Sequence, residues 1–213
     1  EVIDPMVGHL ACGDTGAGKM PEPATLLQYI LKETAFDKDL TGKRILVTAG
    51  ATEALYTALT GILNPGDEVV IPTPAFPLYE SIVGIAGGKP VFLDTKAEGF
   101  QITENALAGV LTEKTKAVVL PFPANPTGAI LTKEELEELA QVLRGPDVIV
   151  TADEIYGELT YRRHHTSIAS LPDMRERTVL CSGFSKAYAM TGWRMGYVAA
   201  PAPLAAQMVK IHQ

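Results

Sequence analysis

Apolar residues follow two rhythms along this chain. Short runs rich in Val, Ile and Leu at 44–47, 68–71, 91–93, 117–120, 148–151, 178–181 and 195–198 read as buried strands. Between them, apolar positions recur every three or four residues. In 52–63 they are Ala54, Leu55, Ala58, Leu59 and Ile62. In 132–143 they are Leu136, Leu139, Ala140 and Leu143, again on one helix face. Thr132 followed by Glu135 is the pattern of a capping box, which predicts a sharp helix start. Asn64-Pro65-Gly66-Asp67 and Gly87-Gly88-Lys89-Pro90 punctuate the pattern as helix stops and turns. Strands alternating with helices predict an α/β fold, a three-layer sandwich with a mostly parallel seven-stranded sheet between helical layers. Such sheets bind ligands beyond the carboxyl ends of their strands, so chemistry is expected in the loops that follow strands.

The first 40 residues break this pattern. They are rich in Gly and Pro, and 1–40 reads as an atypical N-terminal arm ahead of a large domain at 41–213. The sequence opens at Glu1 without a Met, and its last segment, 203–213, reads as a helix without a stop signal, so a continuation is expected. Composition narrows the function classes. Hydrophobic residues at 46% and charged residues at 20% describe a folded globular chain, not a disordered one. A net charge of -7 without basic runs argues against nucleic-acid binding. No apolar run is long enough to span a bilayer, so no membrane partner is expected. Cys12 and Cys181, far apart, fit a reducing cytoplasm better than a disulfide scaffold.

Candidate chemistry clusters after the strand runs. Lys186 follows 178–181 inside a loop of small residues, Ser182-Gly183-Phe184-Ser185-Lys186. Most lysines are solvated surface charges, but one presented by a strand end to a ligand is a nucleophile for carbonyl groups. Thr48-Ala49-Gly50-Ala51-Thr52-Glu53-Ala54 joins a strand end to a helix start, where backbone N–H groups and the helix dipole favour an anion. Gly50 and Ala51 let a phosphate approach, and Thr52 offers a hydroxyl; the plainer alternative is Thr52 as N-cap. Prolines at 72, 74 and 77 exclude a helix start before Pro77. Phe76 is then either a core side chain or a stacking ring, and Tyr79 reads as packing.

Pro121-Phe122-Pro123-Ala124-Asn125-Pro126-Thr127-Gly128 is a turn with Asn125 as a hydrogen-bond donor, and a cis peptide before Pro126 is expected. Asp153-Glu154-Ile155-Tyr156 follows 148–151 directly. An Asp there is commonly a turn residue, yet a buried one needs a positive partner. Arg194 carries a guanidinium suited to phosphate, and Ser182 and Ser185 add hydroxyls.

The stretch SGFSKAYAMTGWRMGY, with the other landmarks in matching order and spacing, resembles the cofactor-lysine signature of class I and II aminotransferases. These are fold-type-I enzymes that use pyridoxal 5'-phosphate (PLP). The resemblance runs from about Lys43 onward and leaves 1–40 outside it. It implies transamination between an amino acid and a 2-oxo acid through a Schiff base on Lys186. It implies a phosphate held by Gly50, Ala51, Thr52, Ser182, Ser185 and Arg194, and a ring stacked on Phe76. Asn125 and Tyr156 would bond the ring's phenolic oxygen, while Asp153 would keep its nitrogen protonated. A cytoplasmic homodimer is implied as well.

Two departures stand out. Gly183 occupies a position where many members carry a hydroxyl. The small C-terminal domain, whose arginine grips the substrate carboxylate, is absent from this sequence. The alternative is therefore a truncated PLP-binding protein with weak, lyase-like or no activity. A distant alternative is a nucleotide binder, because Gly13-Asp14-Thr15-Gly16-Ala17-Gly18-Lys19-Met20 approaches a P-loop. Met20 replaces the hydroxyl that would ligate magnesium, and Pro21 and Pro23 obstruct the helix that should follow. A Gly-rich arm is the preferred reading, and no metal site is expected.

Overall fold

The computed structural model describes residues 6–9, 15–19, 44–145, 147–161 and 164–213. The chain divides into two compact units, Glu1–Thr41 and Gly42–Gln213. In the first unit, strands β1 (Met6–His9) and β2 (Thr15–Lys19) pair antiparallel, with His9 opposite Thr15. The second half of the P-loop-like sequence is thus an extended strand bonded to another strand. An extended, paired backbone does not turn its N–H groups onto a phosphate, and the nucleotide reading fails on this point. Gly13, Asp14 and Met20 lie outside the described residues.

The second unit is built on β3 (Arg44–Thr48), β4 (Glu68–Thr73), β5 (Lys89–Asp94), β6 (Thr115–Leu120), β7 (Ile149–Asp153), β8 (Thr178–Gly183) and β9 (Gly196–Ala200). They form a seven-stranded sheet in the order β3-β9-β8-β7-β6-β4-β5. β9 is antiparallel to both of its neighbours, and every other adjacent pair is parallel. The helices are α1 (Ala51–Ile62), α2 (Leu78–Ile85), α3 (Glu104–Val110), α4 (Lys133–Arg144) and α5 (Ala202–His212).

Strand alternation explains the three layers. Val69 and Ile71 of β4, with Ala117 and Val119 of β6, pack into one core with Leu55 and Leu59 of α1, Val83 of α2 and Met208 of α5. The intervening Val70, Val118 and Leu120 pack into a second core with Leu107 of α3 and Leu136, Leu139 and Leu143 of α4. Successive residues of a strand point to opposite faces, so a strand covered on both sides must be apolar throughout. The capping box of α4 forms: the Thr132 hydroxyl accepts from Glu135 N–H at 3.2 Å, and the Glu135 carboxylate accepts from Thr132 N–H at 2.6 Å. Helices α2 and α3, of 8 and 7 residues, carry no legible periodicity because two turns give too few apolar repeats.

Candidate functional site

Segments leaving the carboxyl ends of β3, β4, β6, β7 and β8 meet around a pocket that is partly open to solvent. Ala51, Thr52, Phe76, Asn125, Asp153, Tyr156, Ser185, Lys186 and Arg194 line it, together with Leu55, Tyr79, Pro121, Pro123, Ile155 and Thr191. Residues scattered over most of the domain sequence are thereby brought to one place.

The β3–α1 connection forms one wall. Helix α1 begins at Ala51 behind Gly50, and no side chain caps it. Thr52 is therefore not the N-cap, and its side chain lines the pocket. Gly50 has φ +92, in the left-handed region, and a Cβ there would stand 2.4 Å from Arg194 Nη2. A Cβ on Gly196 would stand 2.4 Å from the carbonyl carbon of Gly50. Only glycine permits this approach of loop, strand and guanidinium. Arg194 donates through Nη1 to the Thr191 carbonyl at 2.9 Å and through Nη2 to the Ala49 carbonyl at 3.4 Å. The Ala49 N–H donates to the Glu53 carboxylate, which His212 Nδ1 also approaches at 2.9 Å. That backbone bond, with His212 assisting, holds the Glu53 carboxyl below the usual range despite partial burial.

The opposite wall is acidic and aromatic. Asp153 ends β7, buried, and its Oδ2 accepts from the Tyr79 hydroxyl at 2.6 Å while Oδ1 accepts from the Ile155 N–H at 3.2 Å. Burial raises the Asp153 carboxyl above its ordinary value, and the nearby Glu154 charge adds to this; the two donors only partly offset it. Both donors are neutral, and no ion pair to Asp153 forms among the described residues. Burial and the Asp153 charge push the Tyr79 phenol well above its ordinary value, so it remains a donor. Its ring meets Phe76 edge-on, with centroids 5.8 Å apart at 82°.

Lys186 extends into the pocket, with Nζ 5.6 Å from the centroid of the Tyr156 ring. Asn125 lies on the exposed rim, and its bond to Pro126 is cis, as are Thr73-Pro74 and Phe122-Pro123.

Two sequence readings change. Ser182, expected beside the phosphate, does not line the pocket. It lies within β8, where alternation turns its hydroxyl to donate to the Glu154 carbonyl at 3.2 Å. Ser185, past the strand end, does line it. Tyr79, read as packing, is the partner of Asp153. A phenol three residues after Phe76 on an apolar helix start needs a buried acceptor, and that signal would have found it.

The arrangement joins an uncapped helix start beside a guanidinium, an aromatic face, a buried carboxylate without a countercharge and a primary amine. Among the described residues no cluster of His, Cys, Asp and Glu could hold a metal ion, and no helix is long and apolar enough to cross a membrane.

Comparison with known proteins agrees with this geometry. Residues 25–213 match the family described as aminotransferase class I and II. The match starts upstream of Lys43, so part of 1–40 falls within the family although it carries none of the motifs read from sequence. An aspartate aminotransferase from Pyrococcus abyssi is 48% identical over 170 residues, which is 79% of this chain and 44% of that protein. One from Musicola paradisiaca is 47% identical over 173 residues, covering 80% and 43% respectively. The crystal structure of an aromatic aminotransferase from Pyrococcus horikoshii matches with a TM-score of 0.81 at 42% identity, over 88% of this chain and 51% of that one. The chain spans about half the length of the relatives it matches. With motifs, fold and pocket in agreement, this chain belongs to the class I and II aminotransferases.

Proposed function

We propose that this chain provides the cofactor site of a PLP-dependent aminotransferase that moves an amino group between an amino acid and a 2-oxo acid. The observation that carries the reading is Asp153, a buried carboxylate with no countercharge among the described residues, in the same pocket as the Lys186 amine. A buried carboxylate is stabilised by a cationic partner, and a protonated pyridine nitrogen is one. The opening between Arg194 and the uncapped start of α1, where Gly50 leaves no room for a side chain, suits a phosphate. PLP supplies an aldehyde carbon and an electron-withdrawing ring when bound.

The residues divide the work. Lys186 would hold the cofactor through its primary amine and, as a free amine, would carry the proton at the substrate Cα. Asp153 holds the ring nitrogen in its protonated form, and Tyr79 fixes the carboxylate by its 2.6 Å hydrogen bond. Gly50, Ala51, Thr52, Ser185 and Arg194 hold the phosphate. Phe76 would stack against the cofactor ring, and Asn125 and Tyr156 would donate to its phenolic oxygen. The family resemblance further supports a cytoplasmic homodimer; Cys181, buried and without a disulfide, is compatible with a reducing compartment.

The test is a PLP titration followed in the visible range, with an amino acid then added. The proposal expects a band from lysine-bound PLP that bleaches as the amino group is transferred, and recovers with a 2-oxo acid. A band that forms but never responds to any amino acid would reduce the chain to a PLP-binding protein without transferase activity.

A further inference from the structure

We propose that Glu154, His165 and Ser167 are positioning residues that lock the turn carrying Tyr156, and so set where the Tyr156 ring stands relative to Lys186. The inference rests on the cofactor reading above and deepens it. Asp153 and Glu154 are consecutive, yet only Asp153 lines the pocket. The Glu154 side chain is 11% exposed and that of His165 13%, with His165 Nε2 lying 3.0 Å from Glu154 Oε2. Neither ring nitrogen makes a well-aligned hydrogen bond, and the pair attracts by charge when the ring is protonated, a form the adjacent carboxylate favours. The Ser167 hydroxyl donates to the other carboxylate oxygen, Oε1, at 2.7 Å.

Ser167 is itself fixed. Its Oγ accepts from the Ala169 N–H at 3.3 Å and caps a short helical turn, Ile168–Ser170, whose Ile168 and Ala169 are buried. The Glu154 carboxylate therefore fastens the 154–157 turn to a segment anchored in the core. The backbone of the turn is fastened too. Glu154 N–H donates to the Cys181 carbonyl at 2.9 Å, and the Glu154 carbonyl accepts from Gly157 N–H at 2.9 Å and from the Ser182 hydroxyl at 3.2 Å. The His165 ring closes over the turn, since a Cβ on Gly157 would stand 3.2 Å from His165 Cδ2. Tyr156 lies between the two clamped ends.

Replacing a buried ion pair by neutral groups often leaves stability unchanged, so such a pair is better explained by the single arrangement it specifies. Here that arrangement is the direction of Tyr156. Ser182, which does not line the pocket, acquires a role in the same clamp.

The experiment is a pH titration of the visible band of PLP bound to the wild-type chain and to His165→Leu and Ser167→Ala, each alone and combined with Tyr156→Phe. A donor held at the ring's phenolic oxygen lowers the midpoint of that titration, so His165→Leu should raise it by roughly half a pH unit or more. Ser167→Ala should move it the same way by less. In the Tyr156→Phe background neither change should move it further, because residues acting through one group are not additive. A purely structural role predicts equal shifts in both backgrounds, and that result overturns the proposal. Unchanged midpoints in both single variants overturn it as well. Should His165→Leu fail to fold, Ser167→Ala and its Tyr156→Phe combination decide the matter alone. A wild-type chain that gives no band on Lys186 overturns the cofactor reading and this proposal together, whereas a wild-type band with unmoved variants overturns this proposal only.

Discussion

Helices α1 and α4 are both 12 residues long, and they begin in opposite ways. The first N–H groups of α4 are met by its own sequence, with Thr132 and Glu135 closing on each other's backbone. The start of α1 has no side-chain cap, and Ala51 and Thr52 in its first turn line the pocket beside Arg194. Unmet N–H groups at a helix start are stabilised by any anion that reaches them. The two carboxylates at the end of β7 repeat the contrast: Glu154 is met by His165 and Ser167, while Asp153 in the pocket has only neutral donors among the described residues. In both cases the group turned away from the pocket is met by charged or capping side chains, and the group turned into it has none among the described residues.

The comparison breaks most visibly at Gly50. Gly50→Ala forces a Cβ onto Arg194 at a positive φ, and PLP affinity should fall about a hundredfold, measured by absorbance titration. Thr132→Ala at the capped helix should do the reverse, lowering unfolding free energy by about 1 kcal/mol in urea while PLP affinity stays the same. Equal effects of the two substitutions on PLP binding would erase the distinction. Thr52→Ala should weaken PLP by about threefold through one lost hydroxyl, with the thermal midpoint unchanged.

The smallest effect concerns the satisfied carboxylate. Burial pulls the His165 pKa down, but the Glu154 carboxylate beside it, with Glu158 adding, brings it above the ordinary histidine value. A raised folded-state pKa favours the protonated form in the folded chain. Its stabilisation is therefore complete below the unfolded value near ~6.5 and is lost as pH rises through the higher folded value. The urea midpoint of the wild type should drop from about pH 6 to about pH 8.5 more than that of His165→Gln.

Most of the fold was legible in the sequence because its signals are local. Buried parallel strands must be apolar on both faces, and each of the β-branched runs became a strand of the sheet, most extended by a residue or two and those at 148–151 and 195–198 beginning one residue later than read. The capping box identified the start of α4 to the residue. Helices α2 and α3 lacked length, and their existence depends on packing more than on pattern. Within the site, Ala51, Thr52, Phe76, Asn125, Tyr156, Ser185, Lys186 and Arg194 line the pocket, while Gly50 lies behind it against Arg194. Ser182 does not line it, because the strand continues to Gly183 and its alternation, not proximity to Lys186, directs the hydroxyl. Tyr79 on its apolar helix start signals a buried acceptor but not which one, and the Glu154–His165–Ser167 clamp gave no signal, because each joins segments whose meeting depends on the tertiary fold.

The account stands or falls on where PLP attaches. The most direct measurement is borohydride reduction of the chain mixed with PLP, followed by peptide mass spectrometry. The account predicts one stoichiometric pyridoxyl adduct on Lys186, lost in Lys186→Ala. Adducts scattered over surface lysines, or an unchanged yield in Lys186→Ala, would contradict it.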